Sequence, residues 1–131
     1  MKLTRNDIKL SFRKPKFQVN QKRGTVKCVL GYEIVPPYDY DGELAQFPAG
    51  FRSVEAVAVC QPNDTFDVRK GQKIALAKAE NQAYANALEE VSDLDWVPDA
   101  AIVMHNMVEN FYKKAKKCAR HNISYVQKLT E

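Results

Sequence analysis

Thr25-Val26-Lys27-Cys28-Val29-Leu30-Gly31-Tyr32-Glu33-Ile34-Val35 is the stretch that decides the fold. Val26, Cys28, Leu30, Tyr32 and Ile34 recur at every second position, the period of a β-strand with one face in the core. Upstream, Asn20-Gln21-Lys22-Arg23-Gly24 has the composition of a hairpin loop, with Gly24 free to take a positive φ. Before that loop, Ile8-Lys9-Leu10-Ser11-Phe12-Arg13 alternates in the same way. Pro15 interrupts the alternation, and Phe17 and Val19 resume it with opposite parity. One extra residue at Lys14-Pro15, a β-bulge on an edge strand, returns all five apolar residues to one face.

Downstream, Pro36-Pro37 ends the strand because proline donates no ladder hydrogen bond. A loop of about fourteen residues follows, at the upper end of what compact domains carry without a functional reason. Phe51 to Cys60 reads as a third strand, rich in Val and Ala. Pro62-Asn63-Asp64-Thr65-Phe66-Asp67 is turn chemistry, in which Asp64 with Asp67 can cap a short helical turn. A helix is expected over 69–91. Leu76, Ala79, Ala83, Ala87 and Val91 form its apolar side, and the alanines allow a close approach to the sheet. Ser92-Asp93-Leu94-Asp95-Trp96-Val97 links it to a second helix over 98–128, with Pro98 and Asp99 suited to its first turn. The expected fold is α+β, one domain over 1–131: a three-stranded antiparallel sheet over 7–61, then two helices, the last long and heptad-patterned.

In that last helix, Met104, Val108, Phe111, Ala115, Cys118, Asn122, Tyr125 and Leu129 are spaced 4, 3, 4, 3, 4, 3, 4. This is an a/d seam. A helix of thirty residues is about 45 Å long, against a radius of gyration near 14 Å for a globule of this size, by the usual scaling of about 2.2·N^0.38 Å. Such a helix overhangs its own core. It pairs with a second copy as a homodimer, packs antiparallel on the first helix, or breaks near His121-Asn122. Self-association would use Met104, Val108, Phe111, Ala115, Cys118 and Tyr125.

Charge is segregated. Residues 1–30 carry +8, 31–62 carry −4, 63–91 carry −1, 92–110 carry −4 and 111–131 carry +5, within a net charge of +4. Two basic ends flank an acidic middle, so the ends suit an anionic partner or dock on the middle. Lys113, Lys114, Lys116, Lys117 and Arg120 can track phosphates while Phe111, Tyr112 and Tyr125 stack on bases. The competing reading is a solvated helix face whose lysines suit the C-terminal end of the dipole. In the first hairpin, Lys9, Arg13, Lys14, Lys16, Lys22, Arg23 and Lys27 guard an edge strand. Lys22 and Arg23, at the loop tip, are the ones expected to touch nucleic acid.

Other chemistry is sparse. Cys28, Cys60 and Cys118 are odd in number and unpaired in spacing, which fits reduced thiols. Asp39-x-Asp41-Gly-Glu43 has too few spaced oxygens for a calcium loop. Cys118-x-x-His121 lacks the second ligand pair of a zinc site, and His105 has no placed acid or nucleophile. No cofactor, metal or catalytic residue is expected. With 45% hydrophobic and 27% charged residues, no run approaches the roughly 18 apolar residues of a membrane span, and the first residues lack a signal peptide's apolar core. The expected location is the cytoplasm, with no membrane partner.

Val57-Ala58-Val59-Cys60-Gln61-Pro62-Asn63-Asp64-Thr65-Phe66-Asp67, followed by Gly71-Gln72-Lys73-Ile74-Ala75-Leu76-Ala77-Lys78-Ala79, resembles a pattern in small accessory proteins of bacteriophages. The resemblance covers about a quarter of the chain and speaks to local structure before function. It implies a phage origin and the cytoplasm of an infected bacterium. A strand, turn and Ala-rich helix with Ala79, Ala83, Ala87 and Leu88 also looks like the end of a double-stranded-RNA-binding domain. That family clusters lysines at the start of this helix. Here only Lys70, Lys73 and Lys78 stand there, with Glu80 among them. The expected function is therefore non-enzymatic binding, to nucleic acid through the basic ends. The alternative is counter-defence by capture of a host protein or a nucleotide signal, with an enzyme of unknown class third.

Overall fold

The computed structural model describes residues 8–35, 50–60, 65, 67–93 and 101–130, with side chains in the last segment described over 106–129. The chain is α+β: an antiparallel sheet followed by two helices. The elements are β1 (Lys9–Phe12), β2 (Lys16–Asn20), β3 (Thr25–Val35), β4 (Arg52–Val59), α1 (Val68–Ser92) and α2 (Ala101–Thr130). The first strand is split in two by Arg13-Lys14-Pro15, and both halves pair with β3. Phe12 faces Tyr32 and Lys16 faces Val29, so three residues on one strand oppose two on the other. That is the expected bulge. It returns Phe17, opposite Cys28, to the face that Leu10, opposite Ile34, already occupies. Arg13 N–H still donates to Gly31 O at 2.8 Å, so the ladder is bent without being broken there.

β4 pairs with the other side of β3, with Val54 opposite Leu30, Ala56 opposite Cys28 and Ala58 opposite Val26. Small residues on this strand let α1 settle close. Gly71 shows how close: a Cβ on it would lie 2.6 Å from Val26 Cγ2. Ala75, Ala79, Ala83 and Ala87 continue along α1 and are fully buried.

Ala77 is buried as well. The reason is that α1 is covered on two sides, by the sheet and by α2, so its buried residues do not form the single stripe expected. Leu76, assigned above to the apolar side, is only partly buried. Asp67 caps α1, its carboxylate accepting from Lys70 N–H at 3.2 Å. Asp64 lies outside the described residues.

α2 runs unbroken through His121-Asn122 and packs antiparallel on α1. Phe111 meets Tyr84 with ring centroids 5.9 Å apart, and Tyr84 meets Phe12 of β1 at 6.0 Å. Met107 and Phe111 are buried in the same core as Leu30, Tyr32 and Ile34. Asn122 donates to Ala77 O at 3.2 Å and to Asn81 Oδ1 at 2.9 Å, fixing the level of one helix against the other. At the opposite end, Arg52 Nε donates to Glu90 Oε1 at 2.8 Å and ties β4 to the last turns of α1. Among the described residues no helix is long and apolar enough to cross a membrane.

Candidate functional site

The hairpin tip is built to present cations. Gly24 takes φ 65°, and Asn20 Oδ1 accepts from Arg23 N–H at 3.1 Å. Lys22 and Arg23 are exposed on this tight loop. Two other bases of the hairpin are engaged within the sheet. Lys27 pairs with Glu55 at 3.2 Å, and the Arg13 guanidinium lies over the Phe51 ring, 3.5 Å from its centroid. Gly31 leaves room for that side chain, since a Cβ there would lie 3.3 Å from Arg13 Cδ.

The tertiary arrangement adds bases that sequence reasoning set aside. Gly71 against Val26 puts the start of α1 over the hairpin end of the sheet. Asn122 against Ala77 brings the C-terminal third of α2 to that same end. Lys22, Arg23, Arg69, Lys70, Lys73 and Lys128 therefore share one end of the molecule. The described acid among them is Asp67, already committed to capping. The positive end of the α1 dipole adds to this field. The opposite end carries Glu33, Glu89, Glu90, Asp93 and Glu109 against Lys9 and Arg52. The lysines at the start of α1 looked too few in sequence. They gain significance only through their neighbours in space.

Along α2, Lys113, Lys116, Lys117 and Arg120 all fall on the side opposite Phe111 at about 100° per residue, and all are exposed, as is Lys114 on the flank. Lys113 rests near Glu109 at 3.8 Å. Tyr112 is exposed, with the Lys116 ammonium 5.9 Å from its ring centroid. It lines a shallow groove with Leu88, Val108 and Glu109, towards the acidic end. Phe111 is only 1% exposed, so it cannot stack on a base as the sequence suggested.

The heptad seam is occupied within the chain. Phe111 is buried, and Val108, Ala115, Cys118 and Tyr125 are partly buried in the α1–α2 region. This is the antiparallel arrangement among the three that the spacing allowed. Association with a second copy through the seam would use what Val108, Ala115, Cys118 and Tyr125 leave exposed, since Phe111 is buried within the chain. The side chains of Met104 and His105 lie outside those described, as do Asp39, Asp41 and Glu43.

A second groove, about 280 Å³, lies between the first half of α1 and the last third of α2. Lys73, Leu76, Glu80, His121, Asn122 and Tyr125 line it. The His121 and Tyr125 rings are parallel to within 9°, with centroids 6.5 Å apart. Burial pushes the Glu80 carboxyl above the usual carboxylate range, and His121 only partly offsets this. Burial likewise raises the Cys118 and Cys28 thiols, helped in each case by Glu80. It raises the Tyr84 phenol too, with Cys118 and Glu80 adding to it. Cys118 and Cys28 are thus held as thiols, which are poor nucleophiles and poor ligands. Cys118 and His121 do share this region, but among the described residues no three His, Cys, Asp or Glu side chains are placed to hold a metal. No known protein family, curated protein or solved structure matches this chain.

Proposed function

We propose that this protein is a non-enzymatic binding protein that grips a nucleic-acid backbone at its basic end and along the exposed stripe of α2. One observation carries the reading. The antiparallel seat of α2 on α1 gathers cations from the hairpin tip, the start of α1 and the end of α2. These are three separate stretches of chain, and their charges converge on one end while Glu33, Glu89, Glu90, Asp93 and Glu109 lie towards the other. Such a field attracts a polyanion and orients it. From Lys113 to Lys128 the α2 stripe is about 22 Å long at 1.5 Å per residue, enough to follow several phosphates. We take the bacteriophage resemblance of residues 57–79 as a pointer to an accessory role in the cytoplasm of an infected bacterium.

Fluorescence anisotropy with labelled single- and double-stranded oligonucleotides tests this. Binding at about 50 mM salt that weakens steeply by about 200 mM is expected. Absence of binding at the lower salt would refute it. Capture of a nucleotide-derived signal is the second reading, and the groove holding Glu80 favours it.

A further inference from the structure

Glu80 breaks a local rule. It is a half-buried carboxylate for which no hydrogen bond or ion pair is found among the described residues, and His121, which lines the same open groove, only partly offsets its loss of hydration. Partly buried charges normally carry partners, because losing hydration without replacement is costly. The groove around it has the parts of a binding site. Two parallel aromatic rings, His121 and Tyr125, line it together with the apolar Leu76. Lys73 stands at the side nearer the basic end.

We propose that this groove binds a guanine-type base carrying a phosphate, with Glu80 accepting from the base and Lys73 meeting the phosphate. A carboxylate has two acceptor oxygens side by side and is best satisfied by two adjacent N–H donors. A guanine edge presents such a pair in N1–H and the exocyclic amine. Adenine and cytosine each set a ring acceptor against the carboxylate, and uracil flanks its one N–H with carbonyl oxygens. A guanidinium also has paired donors, but it is a cation, and Lys73 with the neighbouring basic end would repel it. A neutral planar base with an anionic tail fits the charges on both sides. Aromatic side chains are the partners on which unpaired bases stack, and His121 and Tyr125 both line the groove. Burial raises the Glu80 carboxyl within this groove, which makes it a stronger acceptor once a donor pair arrives. The base can belong to a free nucleotide or to an unpaired residue of a bound strand. Only the second source rests on the nucleic-acid reading above.

Calorimetric titration of the full chain with guanosine and adenosine 5′-monophosphates separates these sources when set beside anisotropy with a uridine decamer and the same strand carrying one guanine. Guanine preference of about tenfold or more is expected in at least one format, the size seen for paired base contacts. Glu80→Gln should abolish that preference, because its amide turns a donor towards the base, while leaving salt-dependent binding to the plain uridine strand intact. Preference with the monophosphate identifies a free-nucleotide site, and preference only in the strand identifies an unpaired-base site. Both support the proposal. A Lys22→Glu/Arg23→Glu variant should weaken strand binding and leave monophosphate binding unchanged. If the monophosphate binds with Glu80-dependent preference and no strand binds, the nucleic-acid reading fails and the groove stands. Equal affinity for the two monophosphates together with equal affinity for the two strands overturns the groove proposal, as does a preference that survives Glu80→Gln.

Discussion

The side-chain amide of Asn122 in α2 donates to the backbone carbonyl of Ala77 in α1 across 3.2 Å. Asn122 is 6% exposed and is a polar member of an otherwise largely apolar seam. Its second bond, to Asn81 Oδ1, spans one turn of α1. A buried amide in a helix–helix seam is satisfied only when its partners face it, so it selects one register. That register brings Lys128 to the end where Lys22 and Lys73 lie.

Asn122→Ala should lower unfolding free energy by about 1–2 kcal/mol, since it removes the bonds and strands the Asn81 amide. Asn122→Leu should keep or raise stability while loosening the register. Urea denaturation measures the first effect. For the second, amide exchange along α2 should become less uniform in the leucine variant.

Gly71→Ala is predicted to destabilise the protein despite the helix propensity it gains. The added methyl would sit 2.6 Å from Val26 Cγ2, a stiff branched side chain that is fully buried. Overpacking of this kind costs about 1–3 kcal/mol, more than the roughly 0.5–1 kcal/mol that alanine gains over glycine in a helix. Pairing it with Val26→Ala should recover part of the loss, and thermal melts of the single and double variants show whether it does.

Glu80→Gln should stabilise the free protein at neutral pH. The folded state raises the Glu80 carboxyl, so it binds more protons than the unfolded chain between the ordinary Glu range and the raised value. Stability therefore falls as pH rises through that window, and the glutamine variant is spared the fall. Melting temperatures of the two proteins should converge at a pH below the ordinary Glu range and separate above it.

The sheet was readable because its signal is local. The period of two in Val26 to Ile34 and the parity switch across Pro15 together required the bulge that Phe12 and Lys16 display in their register. Gly24 announced its turn by chemistry alone, whereas Asp67, expected to cap a short helical turn, caps the long helix α1 itself. What escaped was the double coverage of α1, since alanine is small enough to lie against either layer and Ala77 gives no hint of which. The seam on α2 was visible, but its partner was not: spacing describes one face of a contact and is silent on who supplies the other. The groove was the least legible, because Glu80 and His121 are 41 positions apart and meet only through the antiparallel helix pair.

The most direct test of the basic-end account is the slope of log affinity against log salt for one single-stranded oligonucleotide. Wild type should give a steep negative slope. Lys22→Glu/Arg23→Glu should flatten it by about 1.4, from about 0.7 per lost phosphate contact on a single strand. Lys9→Glu, at the acidic end, should leave it unchanged. Equal slopes for all three proteins would contradict the account.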